Sequence, residues 1–169
     1  MKLENLLKGL IGLLTLALIF VVYDATREHN TVVGDTAPDF KVSTDSGRTL
    51  TRSAFGGKVL VLNFWATWCE PCREELPSLN NLQKQVGPGL VVLGVSVDKN
   101  EKAYRDFLKR NGVSFETARD PESNLPAEYG TYKYPETYVI DASGKVRQKH
   151  IGAVDWSDPQ VVQSIRALL

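Results

Sequence analysis

The pattern of apolar and polar residues separates an N-terminal apolar segment from the rest of the chain. Leu10 to Tyr23 contains no charged residue, and its apolar face reaches back to Leu6. This length is close to the ~17–25 residues that span the hydrocarbon core of a bilayer. Because Lys2 and Lys8 lie near its N-terminal end, the positive-inside rule predicts a cytoplasmic N-terminus and an exported remainder.

A cleaved signal peptide is the alternative for this segment, since its unbroken apolar core is short enough for one. No Ala-x-Ala-like cleavage site follows, because Ala25 has Tyr23 two residues before it. No cysteine lies near the end of the segment, which excludes a lipid-modified N-terminus. We therefore expect an uncleaved signal anchor over residues 1–24, a polar linker over 25–35 and one domain over 36–169.

Within that domain, strand-like and helix-like patterns alternate. Residues 58–65 and 90–97 are continuous apolar runs, as expected of central strands buried on both faces. Residues 69–86 and 102–110 have helical spacing, and the last helix is predicted from Asp158-Pro159 to Leu168. Turn residues predict two hairpins, one around 45–47 and one around 142–144. Strands that alternate with helices and then close in a hairpin are typical of an α/β fold.

Composition excludes one broad class of partner. The chain carries 20 basic and 20 acidic residues, so its formal net charge is zero, and it has no basic run. We therefore expect no nucleic-acid partner. The length after the apolar segment fits one domain that can bury its own core, and a monomer is the default expectation.

The two cysteines form a Cys-x-x-Cys motif at a strand-to-helix junction. Cys69 and Cys72 follow the apolar run that ends at Trp65 and open the helix-like stretch. Free N–H groups and the helix dipole favour a thiolate at a helix N-terminus, so Cys69 is the candidate attacking thiol. Cys72 lies one turn further on and would resolve the mixed disulfide. Pro71 is compatible with the first helical turn.

Other interpretations of the cysteine pair fit less well. A structural disulfide that closes so small a loop removes little unfolded-state entropy. A zinc site needs about four ligands, and His29 and His150 are far apart in sequence. We therefore predict redox catalysis, no metal, and no cofactor other than a redox-active disulfide between Cys69 and Cys72.

From about Pro38 to its C-terminus, the chain resembles the thioredoxin superfamily. The run Trp65-Ala66-x-Trp68-Cys69-x-x-Cys72 matches the active-site signature of that superfamily, and Pro77 matches the proline that kinks its active-site helix. Tyr134-Pro135 precedes an apolar strand, where the superfamily carries a cis-proline. The resemblance implies a thioredoxin-like fold, a central mixed β-sheet flanked by helices, here with an added N-terminal β-hairpin and a transmembrane helix.

Further residues resemble the CcmG, ResA and TlpA-like group of membrane-anchored reductases of cytochrome c maturation. Asn63 replaces the buried aspartate of cytosolic thioredoxin, and Glu75 supplies an acid three residues after Cys72. The segment that includes Pro135-Glu136-Thr137 also looks like the CcmG pattern. One departure is the bulky Lys133-Tyr134 pair, where that pattern often has small residues, so we expect a reshaped substrate groove.

This second resemblance implies a function and a location. The domain would lie on the periplasmic side of a bacterial inner membrane and reduce disulfides in apocytochrome c or in a thiol partner of haem attachment. A thiol-transporting membrane protein would supply the electrons. Trp68, Tyr134 and Pro135 would line the substrate groove, and Glu75 would handle the proton of Cys72.

For several residues, a second interpretation remains open. Glu75 could be an ordinary solvated helix residue, and Glu136 could lie on the surface of an edge strand. Trp156 is expected to pack in the core and His150 to be an edge-strand polar residue. Glu70 is expected to counter the helix dipole, raise the pKa of Cys69 and make the dithiol more reducing.

Three other functions remain as alternatives. A general exported oxidase or isomerase would differ in its reduction potential. A peroxidase would need a Thr-x-x-Cys setting, whereas Thr67 lies two residues before Cys69. A non-catalytic docking module would function without either cysteine.

Overall fold

The computed structural model describes residues 2–26, 30–55 and 57–169. It begins with a long helix, α1 (Lys2–Thr26), and continues with a small hairpin, β1 (Lys41–Ser43) and β2 (Thr49–Thr51), followed by a 3-10 turn (Arg52–Phe55). The remaining elements are, in order, β3 (Val59–Trp65), α2 (Glu70–Val86), β4 (Leu90–Ser96), α3 (Glu101–Asn111), β5 (Glu116–Arg119), α4 (Asn124–Tyr129), β6 (Glu136–Ile140), β7 (Val146–Ile151) and α5 (Pro159–Arg166).

The central sheet is mixed and has the strand order β5-β4-β3-β6-β7. β3 runs parallel to β4 and antiparallel to β6, which in turn pairs antiparallel with β7. All seven residues of β3 are buried, as the continuous apolar run predicted. This is the thioredoxin-like α/β fold that the sequence predicted, with the expected N-terminal hairpin.

Apolar side chains cover both faces of the sheet. On one face, β3 contributes Val59, Val61 and Trp65 to a cluster with the buried sides of α2, α3 and α5. On the other face, Leu60, Leu62 and Phe64 pack against side chains of the hairpin and α4. Side chains alternate between the two faces of a strand, so one strand supplies both halves of the core.

Two elements escaped the sequence analysis, β5 and α4. β5 is Glu-Thr-Ala-Arg, which lacks the apolar run on which strand prediction depends. α4 is six residues long and contains Pro126, so it has no readable helical period. Leu125 N–H at its start donates to the Asp120 carboxylate at 2.8 Å.

Residues 31–37, here called the entry segment, pack against the domain. Thr31 is buried, and its N–H donates to the carbonyl of Tyr129 at 3.2 Å. Further along, Gly34 N–H donates to the carbonyl of Val146 at 2.8 Å and Ala37 N–H to that of Gly144 at 2.9 Å. The packed domain therefore begins at Thr31, inside the predicted linker of 25–35.

The first helix has the length and composition of a membrane span. A stretch from Glu4 to Val22 has a mean hydropathy of 2.2, and none of it is buried against the rest of the protein. Its large apolar side chains from Leu6 to Val22, Phe20 among them, are exposed.

Candidate functional site

The two cysteines lie where the central strand passes into the second helix. Cys69 is the N-cap residue of α2, and its sulfur accepts a hydrogen bond from Cys72 N–H at 3.3 Å. The two residues form a disulfide. Cys69 is 6% exposed and Cys72 is 1% exposed, so an incoming thiol or disulfide reaches Cys69 first.

Glu75 is buried on α2, as Cys72 is, at 3% exposure. Three donors reach its carboxylate. Asn63 Nδ2 lies 2.8 Å from Oε1, while the Val154 N–H and Trp156 Nε1 lie 3.1 and 3.2 Å from Oε2. Burial raises the pKa of Glu75 although these hydrogen bonds lower it. The alternative of a solvated helix residue is therefore wrong.

Asn63 occupies the place of an aspartate in cytosolic thioredoxin and serves as a partner of Glu75. Its Nδ2 also donates to Thr137 Oγ1 at 2.8 Å, across the β3–β6 register. Trp156 is fully buried and lies edge-on to His150, with ring centroids 5.5 Å apart. Trp156 thus packs in the core as predicted and, in addition, holds Glu75.

A loop with a cis peptide bond faces the dithiol helix from the sheet. The Tyr134–Pro135 bond is cis, as the resemblance implied. Pro135 carbonyl accepts from Gly152 N–H at 2.8 Å, which ties this loop to the end of β7. Trp68 is 67% exposed, and its ring meets that of Tyr134 edge-on at 6.1 Å. Trp68, Tyr134 and Pro135 therefore come together beside the disulfide.

The charge of Glu70 has a neighbour of opposite sign. Glu70 and Arg73, three residues apart on α2, form an ion pair of 2.7 Å, and both side chains are largely exposed. From the sequence, the charge of Glu70 was expected to act alone on the dithiol. The structure places two opposite charges beside the dithiol.

Asp98 shapes the turn before Cys69, and the sequence analysis missed it. Its carboxylate accepts from Thr67 N–H at 2.8 Å and from Thr67 Oγ1 at 2.6 Å. Ser96 Oγ donates to the same carboxylate at 2.6 Å. A polar residue directly after a buried strand was the available signal, because strand ends of one sheet edge collect functional groups.

Glu136 does not lie on an edge strand, and that alternative is wrong. β6 lies between β3 and β7, and Glu136 is 3% exposed. Its carboxylate is bound by Tyr138 OH at 2.6 Å and by Lys149 Nζ at 2.9 Å. His150 lies on β7, which is an edge strand, as predicted.

Among the described residues, no group of three or more His, Cys, Asp or Glu side chains is placed to hold a metal ion. The site brings together the disulfide, the buried carboxylate of Glu75 and the cis-proline loop.

The chain is similar to known proteins in both sequence and structure. The model of the AhpC/TSA family matches residues 33–149. A thioredoxin-like protein YneN of Bacillus subtilis is 38% identical over 124 residues, covering 72% of each chain. The thiol-disulfide oxidoreductase ResA of Geobacillus thermodenitrificans is 35% identical over 161 residues, covering 91% of each chain.

Solved structures agree with these relatives. A Chlorobium tepidum structure, provisionally assigned as a thiol:disulfide interchange protein DsbE, superposes with a TM-score of 0.75 at 34% identity. It covers 82% of this chain and 99% of its own. The structure of StoA from Bacillus subtilis superposes with a TM-score of 0.66 at 23% identity, a likeness of fold.

Proposed function

Because the chain belongs to the AhpC/TSA family and is a thiol-disulfide oxidoreductase of the ResA and DsbE type, we propose that it is a membrane-anchored reductase of exported protein disulfides. The observation that carries this proposal is the buried carboxylate of Glu75, three residues after Cys72 on α2. A thiol that resolves a mixed disulfide must lose its proton, and this carboxylate lies on the same helix face.

The proposed reaction moves two electrons from the dithiol to the substrate. The Cys69 thiolate attacks one sulfur of the substrate disulfide, forms a mixed disulfide and releases the other sulfur as a thiolate, which takes up a proton. The Cys72 thiol then gives its proton to Glu75 and attacks Cys69 Sγ. The second substrate sulfur leaves and is protonated, and the Cys69–Cys72 disulfide remains. Glu75 then releases the proton of Cys72 to solvent, and Cys69 gave up its own proton when it ionised, so the protein has lost two electrons and two protons and the substrate has gained both.

The raised pKa of Glu75 suits it to accept that proton. A carboxylate is a stronger base when its pKa lies closer to that of the thiol that it deprotonates. Burial supplies this effect, while Asn63 and Trp156 fix the position of the two oxygens.

The groove beside the disulfide supports binding of an extended substrate segment. Trp68 and Tyr134 present aromatic surface, and Pro135 is the last residue of the loop that leads into β6. We propose that the segment is a disulfide-bonded Cys-x-x-Cys-His sequence, the haem attachment motif of c-type cytochromes, as in apocytochrome c. A thiol protein of haem attachment is the other candidate substrate.

A reducing dithiol on the outer side of a membrane needs a source of electrons. Exported thiols meet an oxidising environment, so we propose a thiol-transporting membrane protein as donor. Helix α1 would anchor the domain at the bacterial inner membrane and raise its effective concentration near that donor.

The reduction potential of the full chain in detergent micelles tests the direction of transfer. Equilibration against glutathione and thioredoxin buffers is expected to give a value near or below about −270 mV, the value of thioredoxin. A value near about −120 mV, the oxidising extreme, would contradict the reductase and favour an exported oxidase. The Cys69→Ser, Cys72→Ser double variant is the matched control in cells. If it supported cytochrome c assembly, the domain would be a docking module.

A further inference from the structure

A second buried carboxylate follows directly after the cis-proline. The Glu136 side chain is bound by the ammonium group of Lys149 at 2.9 Å and by the hydroxyl of Tyr138 at 2.6 Å. The side chain of Glu136 is 4% exposed and that of Lys149 is 17% exposed. The negative charge of Glu136 is therefore matched within the protein, and this carboxylate is not an open acid of the active site.

Lys149 also binds the entry segment. Its Nζ donates to the carbonyl of Thr31 at 3.1 Å and lies 5.1 Å from the ring centre of Tyr138. Thr31 is itself buried and comes five residues after Thr26, where α1 ends. One ammonium group thus connects the strand that follows Pro135 with the residue at which the chain enters the domain.

Tyr138 and Tyr129 complete the same network. The hydroxyl of Tyr138 also lies 3.0 Å from the carbonyl of Tyr129 and 3.1 Å from Thr131 Oγ1. The Tyr129 carbonyl accepts from Thr31 N–H as well, at 3.2 Å. The network joins the end of α4, the strand after the cis-proline, β7 and the entry segment.

A gain in stability does not by itself account for this ion pair. Taking two charges out of water costs several kcal/mol per ion, and apolar replacements are often as stable. What an apolar pair cannot supply is a directed contact to both a carboxylate and a main-chain carbonyl. Lys149 has three donors and uses them on groups from two different parts of the fold.

We propose that Lys149 is a positioning residue for the substrate groove. It holds Glu136, and with it the cis-proline loop, against the entry segment at Thr31. The placement of Tyr134 and Pro135 then depends on the entry segment. The effect on substrate rests on the proposed reductase function, whereas the effect on the loop does not.

The variant Lys149→Met tests this in the full chain in detergent, and Lys145→Met is the matched control. Lys145 directly precedes β7 and donates to the carbonyl of Gly34 in the same entry segment at 3.4 Å, but its contact is exposed. With a disulfide-bonded Cys-x-x-Cys-His peptide as substrate, Lys149→Met is expected to raise KM about tenfold. Its kcat and its redox equilibrium constant with glutathione are expected to stay within twofold. Lys145→Met is expected to leave KM within twofold.

A second pair of variants keeps the test decisive if Lys149→Met fails to fold. Glu136→Gln combined with Lys149→Met removes both charges, so no buried charge is left unpaired. This double variant is expected to fold and to keep the raised KM, because methionine cannot bind the Thr31 carbonyl. Lys149→Arg keeps donors for both groups and is expected to recover at least half of the lost affinity.

Hydrogen exchange separates this inference from the proposed substrate. The Gly152 amide donates to the Pro135 carbonyl at 2.8 Å and reports on the loop in the oxidised protein without any substrate. Lys149→Met is expected to exchange this amide at least tenfold faster, with amides of the buried β3 strand unchanged. If exchange at Gly152 were unchanged, or if it rose equally throughout β3, the positioning role would be wrong. If exchange rose as expected but the wild type did not reduce the peptide, only the proposed substrate would fail.

Discussion

Glu75 lies in an environment with two opposed effects on its ionisation. Burial favours the neutral carboxylic acid, whereas the three donors from Asn63, Val154 and Trp156 favour the carboxylate. Burial is the larger effect, so the pKa is raised. Asn63 Oδ1 has no hydrogen-bond partner among the described residues. A half-turn of this amide would let Oδ1 accept from a protonated Glu75, so Asn63 can satisfy either protonation state.

The raised pKa of Glu75 makes the stability of the protein depend on pH. The folded state holds the proton more tightly than the unfolded state, whose pKa is about 4.5. The stabilisation from this proton is complete below that pH and is lost as pH rises towards the folded-state value. Glu75→Gln lacks this pH-dependent stabilisation. Its free energy of unfolding relative to wild type is therefore expected to rise with pH above about 4.5.

Urea unfolding at a series of pH values measures this difference. Glu74→Gln is the matched control, because Glu74 is the exposed neighbour on the same helix. A flat difference between Glu75→Gln and wild type from pH 4 to 8 would show that Glu75 ionises as an ordinary carboxyl group. The same variant is expected to slow peptide reduction by about 10²-fold, the lower range of general acid–base contributions.

The charge of Glu70 acts together with that of Arg73. Because they form an exposed ion pair, Glu70→Gln leaves Arg73 unopposed near the Cys69 thiolate. We expect this variant to be more oxidising, with less than a tenfold change in its equilibrium constant with glutathione, and the change to fade at high salt. Glu70→Gln combined with Arg73→Gln should return towards wild type. An unchanged constant in the single variant would remove Glu70 from the residues that tune the dithiol.

The sequence alone identified those site residues whose role follows from a short motif. Cys69, Cys72 and Pro135 belong to short motifs whose spacing predicts their role. Asp98 and Lys149 act through partners more than ten residues away in sequence. Their contacts depend on strand register and loop packing, which one sequence does not fix, so both were missed.

At the scale of elements, β4 shows how tightly the sheet and its helices pack. A Cβ atom added at Gly94 would lie 2.6 Å from Phe115 Cε2 and 3.0 Å from Trp65 Nε1. Both rings are buried and belong to the core under α3. Gly94→Ala is therefore expected to lower the free energy of unfolding by about 1–3 kcal/mol, the usual cost of overpacking.

Gly89→Ala is the control for Gly94→Ala. Its added Cβ would also lie close to an atom, 2.8 Å from Leu169 Cδ2, but the Leu169 side chain is exposed and can move away. Chemical denaturation of both variants should show the loss at Gly94 alone. Equal stability of the two would mean that the Phe115 ring shifts freely.

The elements that were predictable are those with a strong hydrophobic period. β3 and β4 are continuous apolar runs, and α2 and α3 have caps at Cys69 and Asn100 with a glycine after the last turn. β5 and α4 owe their structure to neighbours, the first to pairing with β4 and the second to contacts around Asp120. Tertiary context overrides local preference at such sites.

At the scale of the molecule, the number of residues between Thr26 and Thr31 sets how far the domain can stand from α1. Thr31 is fixed on the domain, and an extended chain spans at most ~3.3–3.6 Å per residue. The five steps from Thr26 to Thr31 therefore allow a separation of about 18 Å at most. If α1 spans a bilayer, the catalytic domain stays close to its surface, within reach of a donor in the same membrane.

The anchoring of α1 can be tested at its centre. Leu13 is the midpoint of the apolar stretch Glu4–Val22, and an arginine at the centre of a membrane helix costs about 2.5–3.5 kcal/mol. Leu13→Arg is expected to reduce the share of the chain that stays with membranes after alkaline carbonate extraction. Val33→Arg, at an exposed apolar residue outside α1, is the control and should stay bound as the wild type does.

The side of the membrane on which the dithiol lies can be tested in cells that produce these variants. Cys69 and Cys72 are the two cysteines of the chain, so a thiol reagent labels this site specifically. After mild reduction, a maleimide that cannot cross the inner membrane should label the wild type in cells with a permeable outer layer. It should not label the Cys69→Ser, Cys72→Ser double variant. Labelling that required disruption of the inner membrane would place the dithiol in the cytoplasm, where reduced thiols need no anchored donor, and the export of the domain would be wrong. Labelling of cells whose inner membrane is intact would show that the dithiol is exported, and loss of the Leu13→Arg chain from membranes would show that α1 anchors it. Together, the two results would mean that α1 keeps the dithiol near its electron donor, so that it can stay reduced in an oxidising compartment.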